Sequence, residues 1–375
     1  MNKLILLLVL LFFVSCNSQQ KKELSFKYRN VKTTHIATIP LVVKSKIKYS
    51  RLENYLPKNY VQDGSVDYGT YLQKGIDENS FVEFPNFPIL IGENGLTLKS
   101  NSILLFKSKS KLILKANSLS NYQILDLKNI ENVQIYNPKL IGERYEHTGV
   151  KGEWGMGINI LSSKNISIYN PEIKNCWGDG IYISKVSVIE SENIIVKGGI
   201  IDNNRRNGIS IISGKKIDIS NIVLSNTNGT LPMAGIDIEP NTNDDVLESI
   251  NLKKIKTFNN ADAGVAIILL NMIGKNHKNV SINIDSHIDY FSKTSFLMGG
   301  NRLSYPESIK VLGGFINVTN SNWNDSQNKL LMASDFKYIP KYKFSNLKIN
   351  TNGKLDTKET ELRKKQLRER IISVN

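Results

Sequence analysis

From Gly157 onward the chain repeats one short pattern: a polar stretch, a glycine, then isoleucine or valine at alternate positions. The copies are Met156-Gly157-Ile158-Asn159-Ile160, Asp179-Gly180-Ile181-Tyr182-Ile183, Asn207-Gly208-Ile209-Ser210-Ile211, Ala234-Gly235-Ile236-Asp237-Ile238 and Ala263-Gly264-Val265-Ala266-Ile267. Their glycines stand 23, 28, 27 and 29 residues apart. Further short runs lie between them, such as Ile166-Ser167-Ile168, Ile194-Ile195-Val196 and Ile217-Asp218-Ile219, each led by Asn or Lys. Alternation with period two marks half-buried strands, and several strands per repeat with Asn and Gly corners mark a coil of strands. A sandwich of antiparallel hairpins would instead show two-residue Asn-Gly or Asp-Gly turns and no fixed phase.

Upstream, Tyr68, Leu72 and Ile76 share one face of a short helix within Asp67 to Asp77, although Gly69 and Gly75 each cost it about 1 kcal/mol. Strands are expected around Ser80–Leu105 and Leu112–Leu127. Thr357 to Ile372 predicts a terminal helix with Leu362, Leu367 and Ile371 near helical spacing and its charges on a solvated face. Helix, coil of strands and terminal helix together resemble the right-handed parallel β-helix of the pectin-lyase-like superfamily. The resemblance implies an all-β, single-stranded solenoid with short capping helices at both ends, which cover apolar end rungs and unpaired strand edges. The expected organisation is a leader at 1–15, a tether at 16–24, the solenoid with its N-terminal cap at 25–355 and a helix at 356–375.

The leader has one cation, Lys3, then an unbroken apolar run from Leu4 to Val14. That run is too short to span a bilayer and has the layout of an export signal. Phe13-Val14-Ser15-Cys16 resembles a bacterial lipobox, which implies cleavage before Cys16, lipidation of its sulfur and a lipid-anchored protein of the cell envelope, periplasmic or surface-facing.

Composition narrows the partners. The chain has 375 residues, of which 40% are hydrophobic and 22% charged, so it is a globular protein and not a disordered tail. Its net charge of +15 favours an anionic partner, an acidic polysaccharide or the membrane surface. Nucleic acid is not expected, since no nucleic-acid motif is present in an exported chain. Of two cysteines one is Cys16, so Cys176 has no partner and reads as a small buried apolar residue. A monomer is expected.

Taking each glycine as a rung marker, the residues at +1 and +3 face the core and those at +2 and +4 face out. The outward column is Asn159, Tyr182, Ser210, Asp237 and Ala266, with Glu239 at +4 of the fourth rung. The column just before the glycines holds Asp179 and Asn207, with Arg205 and Arg206 beside it. Glu153, Trp154 and Trp177 precede the first two rungs, and the interrupting stretch 144–154 brings His147. These side chains suit a sugar: Trp154, Trp177 and Tyr182 to stack on rings, Arg205 and Arg206 to bind carboxylate or sulfate, and Asp179, Asp237 and Glu239 as acid and base.

Asp179 and Asp237 stand two rungs apart, about 9.6 Å, near the roughly 6.5–9.5 Å of inverting glycosidases. Trp177-Gly178-Asp179-Gly180 is similar to the Asp-bearing turn of polygalacturonase-type glycoside hydrolases, with Gly180 where that family has its second acid and with no Gly-His-Gly or Arg-Ile-Lys motif. An inverting hydrolase of an acidic polysaccharide is the leading expectation. Two alternatives stay open. One is a uronate lyase, in which Arg205 or Arg206, or Ca²⁺ held by Asp237, Glu239 and Asn241, neutralises the substrate carboxylate, and arginine can also act as the base, as it does in the pectate lyases this fold resembles; otherwise no metal or cofactor is expected. The other is a glycan-binding envelope protein without catalysis. The same residues also fit plainer roles: Arg205 and Arg206 in ion pairs with Asp202 or Asp179, Trp177 packed under the loop, and Asn175, Asn203, Asn204, Asn228 and Asn259 in corner ladders.

Overall fold

The computed structural model describes residues 26–32, 48–299, 308–327, 330–332, 338–369 and 373–374; the leader and Cys16 lie outside them. Among the described residues the strands form three sheets of 12, 9 and 11 strands, each strand paired with the one a turn further on. Pairing is parallel except at the terminal hairpin of Lys348–Thr351 with Lys354–Leu355. The chain is therefore an all-β parallel solenoid. The five glycine-led repeats open successive strands of the nine-stranded sheet, Trp154–Leu161, Ile181–Ser184, Ile209–Ile211, Ala234–Ile238 and Ala263–Ile268.

Register follows the expected phase. Ile158, Ile181, Ile209, Ile236 and Val265 stack rung on rung inside the coil, while Asn159, Tyr182, Ser210, Asp237 and Ala266 form a column outside it. Every member of the inner stack is fully buried, and burial of each such side chain stabilises the fold by roughly 1.5–3 kcal/mol. Branched side chains suit this position because their restricted rotamers pack well on a pleated surface. The marker glycines are required by close approach: a Cβ on Gly180 would stand 2.3 Å from Ile201 Cγ2 and 2.7 Å from the Gly208 carbonyl oxygen. Cys176 is buried in the core with a free thiol.

Corners are made largely by asparagine in the left-handed region, among them Asn175, Asn203, Asn226 and Asn259; its short amide tolerates this conformation and bonds along the stack. Asn203 Nδ2 donates to Asn175 Oδ1 at 2.9 Å, Asn228 Nδ2 to Asn203 Oδ1 at 3.2 Å and Asn259 Nδ2 to Asn226 Oδ1 at 2.7 Å. Residues 26–32 cross this edge: Tyr28 donates to Asp202 at 2.8 Å, and Asn226 exchanges two hydrogen bonds with the Arg29 backbone.

The N-terminal helix is Gly69–Glu78, with Leu72, Gly75 and Ile76 buried. Gly75 is there for packing, since a Cβ would meet Leu52 Cδ2 at 2.5 Å. The C-terminal helix is Thr357–Glu369 and is capped by Asp356, whose Oδ1 accepts from Glu359 N at 2.8 Å. It docks through Thr360 and Leu367, whereas Leu362 is exposed, so the docking face is rotated from the one expected. After it Ser373–Val374 returns to pair with Lys341–Ser345, so the tail is not helix to its end. Among the described residues no helix is long and apolar enough to cross a membrane.

One polar network lies wholly inside the coil. Trp323 Nε1 donates to His287 Nδ1 at 3.2 Å, which leaves Nε2 as the donor to Thr257 Oγ1 at 2.8 Å, and Thr257 in turn donates to Asp289 at 2.6 Å. Burial alone pushes the His287 pKa down to about 3. The folded imidazole therefore stays neutral while the unfolded one titrates near 6.5, so its contribution is complete above that pH and is lost as pH falls toward 3. Burial raises the Asp289 pKa, an effect of opposite sign, so comparison with a variant isolates the histidine. Between pH 7 and pH 5 the wild type is expected to lose about 2 kcal/mol more unfolding free energy than His287→Gln, read from denaturant curves. Equal slopes for the two proteins would show that His287 does not carry the effect.

Candidate active site

The third and fourth rungs build a charged cluster around Arg206. Its Nη1 lies 3.0 Å from Asp179 Oδ2, its Nε 3.5 Å from Glu153 Oε2 and its Nη2 4.0 Å from Glu239 Oε2. Asp179 is fully buried and saturated with donors: it also accepts from Ser210 Oγ at 2.7 Å and from the Asn207 backbone N–H at 3.0 Å. Asn207 Nδ2 then spans to Ser210 Oγ at 3.0 Å and to Asp237 Oδ2 at 3.2 Å. Rung geometry explains the convergence, because Tyr182, Ser210 and Asp237 are consecutive in the outer column and Asp179 and Asn207 sit one rung apart just before it.

Asp237 is fully buried, and its Oδ1 meets no donor. Burial first, then the neighbouring Glu239 carboxyl, push its pKa well up, with Arg206 opposing. Burial also raises Glu239, partly offset by Arg206 and by the hydrogen bond it receives from protonated Asp237. The pair therefore holds a proton above the ordinary carboxylate range, because adjacent like charges out of water resist ionising together. Burial by itself would lower the Arg206 pKa, but Asp179, Asp237, Glu153 and Glu239 together raise it above the ordinary arginine value, so the guanidinium stays charged. Burial raises the Tyr182 phenol, which therefore remains protonated.

Two carboxylates reach solvent, Glu153 with a side chain 44% exposed and Glu239 with 28%. They flank one rigid planar guanidinium, so their Arg206-facing oxygens can be no more than about 10 Å apart. Trp154, 49% exposed, stands beside Glu153 as an open aromatic face. Next to Glu153 a pocket of about 670 Å³ continues along Phe26, Leu231, Met233, Phe291 and Lys293.

Several expected site residues serve other ends. Asp179 and Asp237 do not open on a gap for water and sugar, because Asn207 and Ser210 fill the space between them and both acids are sealed. Trp177 is packed under the loop: His147 stacks against its indole at 3.9 Å between ring centroids, and the Arg205 guanidinium lies over it at 3.7 Å. Arg205 is buried and donates to the Gly152 carbonyl at 3.1 Å, which ties the loop just before Glu153. His147 has no exposed side chain; its Nδ1 lies 2.9 Å from Glu143 Oε1, which also accepts from Tyr122. Trp177, Arg205 and His147 therefore hold the loop and do not face a substrate. Arg206 pairs with Asp179, as the plainer reading had it, and it also meets Glu153 and Glu239.

Asn207 and Ser210, which orient Asp179 and Asp237, were missed as site residues although their rung positions place them between the two acids. Among the described residues no group of three or more His, Cys, Asp and Glu side chains could hold a metal ion. The donors proposed for Ca²⁺ are too few for it: Asp237 is fully buried with one oxygen on Asn207, and the Arg206 cation stands beside Glu239, far from the roughly six to eight oxygens Ca²⁺ takes.

No family model matches the chain. It is 30% identical over 231 residues to the uncharacterized protein YclG of Bacillus subtilis (strain 168), covering 57% of this chain and 39% of that one. It is 28% identical over 162 residues to the SPbeta prophage-derived uncharacterized protein YorA of the same organism, covering 39% of this chain and 28% of that one. The chain thus spans well under half the length of either curated relative. Among solved structures, the A-module of the Azotobacter vinelandii mannuronan C-5 epimerase AlgE6 superposes with a TM-score of 0.56 at 13% identity, over 81% of this chain and 87% of that one. At that identity the likeness establishes the parallel β-solenoid fold.

Proposed function

We propose that the cluster around Arg206 is the active site of an inverting glycoside hydrolase. The observation that carries this reading is the pair of solvent-reaching carboxylates, Glu153 and Glu239, beside Nε and Nη2 of the Arg206 guanidinium. Their separation, at most about 10 Å, leaves room for the roughly 6.5–9.5 Å of inverting enzymes, and the anomer formed decides between inversion and retention. Glu239 is the acid, because it is the solvent-reaching member of a buried carboxyl pair whose pKa values are both raised; the proton held by the pair passes through it to the glycosidic oxygen as the C1–O bond breaks. Glu153 takes the proton of a water that bonds to C1 from the opposite face. Asp179, Asn207 and Ser210 hold Arg206 and Asp237 in place, and Trp154 and Tyr182 line the sugar path. The same fold in an enzyme named as a mannuronan epimerase supports a polysaccharide-processing role.

A uronate lyase is less favoured. Its substrate carboxylate would need a cation to neutralise it, and the charge of Arg206 already faces Asp179, Glu153 and Glu239.

We further propose that the protein is an envelope lipoprotein anchored at Cys16. With residues 26–32 already docked on the solenoid, the segment from Cys16 to Phe26 keeps the body within about 35 Å of the lipid even when fully extended.

The test is incubation of the purified chain with a glycan panel, following new reducing ends and the anomer formed by NMR. Hydrolysis with inverted configuration is the expected result. Unsaturated ends would choose the lyase, retained configuration would remove the water-mediated mechanism, and binding without turnover would leave a glycan-binding protein.

A further inference from the structure

The charge of the cleft points away from the acidic glycan that overall composition suggests. Among the described residues the ionisable groups that form it are Glu153, Asp179, Asp237 and Glu239 with the cation Arg206. Asp179 is sealed against Arg206 and offsets its charge, so what the cluster turns to solvent is the carboxyl pair Glu153 and Glu239. Lys151 is exposed on the loop two residues before Glu153, whereas two other lysines are engaged. Lys293, in the adjoining pocket, lies 3.0 Å from Asp262, and Lys185 lies 3.0 Å from Glu190 and 3.5 Å from Asp245. Arg205 is buried beneath the loop and bonded to backbone carbonyls.

Resting on the hydrolase reading, we infer that the site takes a glycan free of carboxylate and sulfate groups, uncharged or amine-bearing, and rejects polyuronates and sulfated polymers. Ionised carboxylates only accept hydrogen bonds, so Glu153 matches sugar hydroxyls or an ammonium and opposes an acceptor of like charge, while the Asp237/Glu239 pair adds no positive charge to offset it. The net +15 of the chain does not reverse this, because cations farther off than about 8 Å are screened at physiological salt.

The experiment uses the full chain with neutral β-glucan and xylan oligosaccharides, chitosan oligosaccharides, polygalacturonate, alginate and chondroitin sulfate. Turnover and binding are both measured at about 50 and 500 mM salt, where screening lengths differ severalfold. Turnover or binding of a neutral or amine-bearing member, with every anionic member at least tenfold weaker at low salt and gaining on it at high salt, is expected. Glu153→Gln, read by binding alone, should narrow the gap for the anionic members. An anionic glycan turned over or bound as well as any other at low salt overturns the inference while leaving the hydrolase reading intact. Failure of every glycan to bind or turn over overturns both.

Discussion

Glu239→Gln is expected to lower kcat by about 10²–10⁴-fold with KM changed only a few-fold. The amide keeps the shape of the side chain and can still accept the proton that Asp237 donates, so the fold and the sugar path are retained. It cannot deliver a proton to a leaving oxygen, and that loss falls on the chemical step alone. The pH profile should separate the two acids. In the wild type the alkaline limb of kcat belongs to the Asp237/Glu239 pair and lies above the ordinary carboxylate range, because burial raises both members. Glu153→Gln should instead lower kcat while leaving the alkaline limb in place, since the pair that carries that limb is untouched. A kcat for Glu239→Gln within threefold of wild type, on whichever glycan is cleaved, would take the proton-donor role away from this residue.

Arg206→Ala is expected to destabilise the protein by about 3–5 kcal/mol, because it leaves buried Asp179 with no counter-charge and removes the one cation near Asp237 and Glu239. Deleting one partner of a buried pair costs more than the pair contributes, so the double variant Arg206→Ala/Asp179→Asn should recover a substantial part of the loss. Arg206→Lys should fall between, since an ammonium keeps the charge but cannot span Asp179, Glu153 and Glu239 as the planar fork does. Midpoints of denaturant unfolding give the cycle directly. A loss below about 1 kcal/mol for Arg206→Ala would mean that Asp179 is uncharged or hydrated, as an exposed pair would be.

Much of this architecture was legible because a solenoid writes its geometry into a period. Each Gly-Ile-x-Ile copy places two side chains inside and one outside, and strands that stack parallel in register convert that spacing into columns. The corner asparagines, the unpaired Cys176 and both helices could be read for the same local reasons. The helix face of Leu362 could not, since docking is decided by Thr360 bonding the Ile349 amide at 3.1 Å, a contact between distant parts of the chain.

The candidate site divides along the same line. Periodicity brings Asp179, Arg206, Asp237 and Glu239 onto neighbouring rungs and faces them away from the core. It says nothing of what folds over that outer face. Loop 144–153 and the turn 228–233 are anchored through Arg205, whose side chain donates to the Gly152 carbonyl and whose own carbonyl accepts from Thr230 N at 2.9 Å. Glu153, delivered by the first of them, closes on Arg206. Asp179 and Asp237, outward by phase, are thereby sealed and engaged, while Glu153 and Glu239 are left to meet solvent. Local alternation determines which side of a sheet a residue takes. Desolvation, and with it who carries a proton and who can touch a substrate, depends on contacts between segments far apart in the chain.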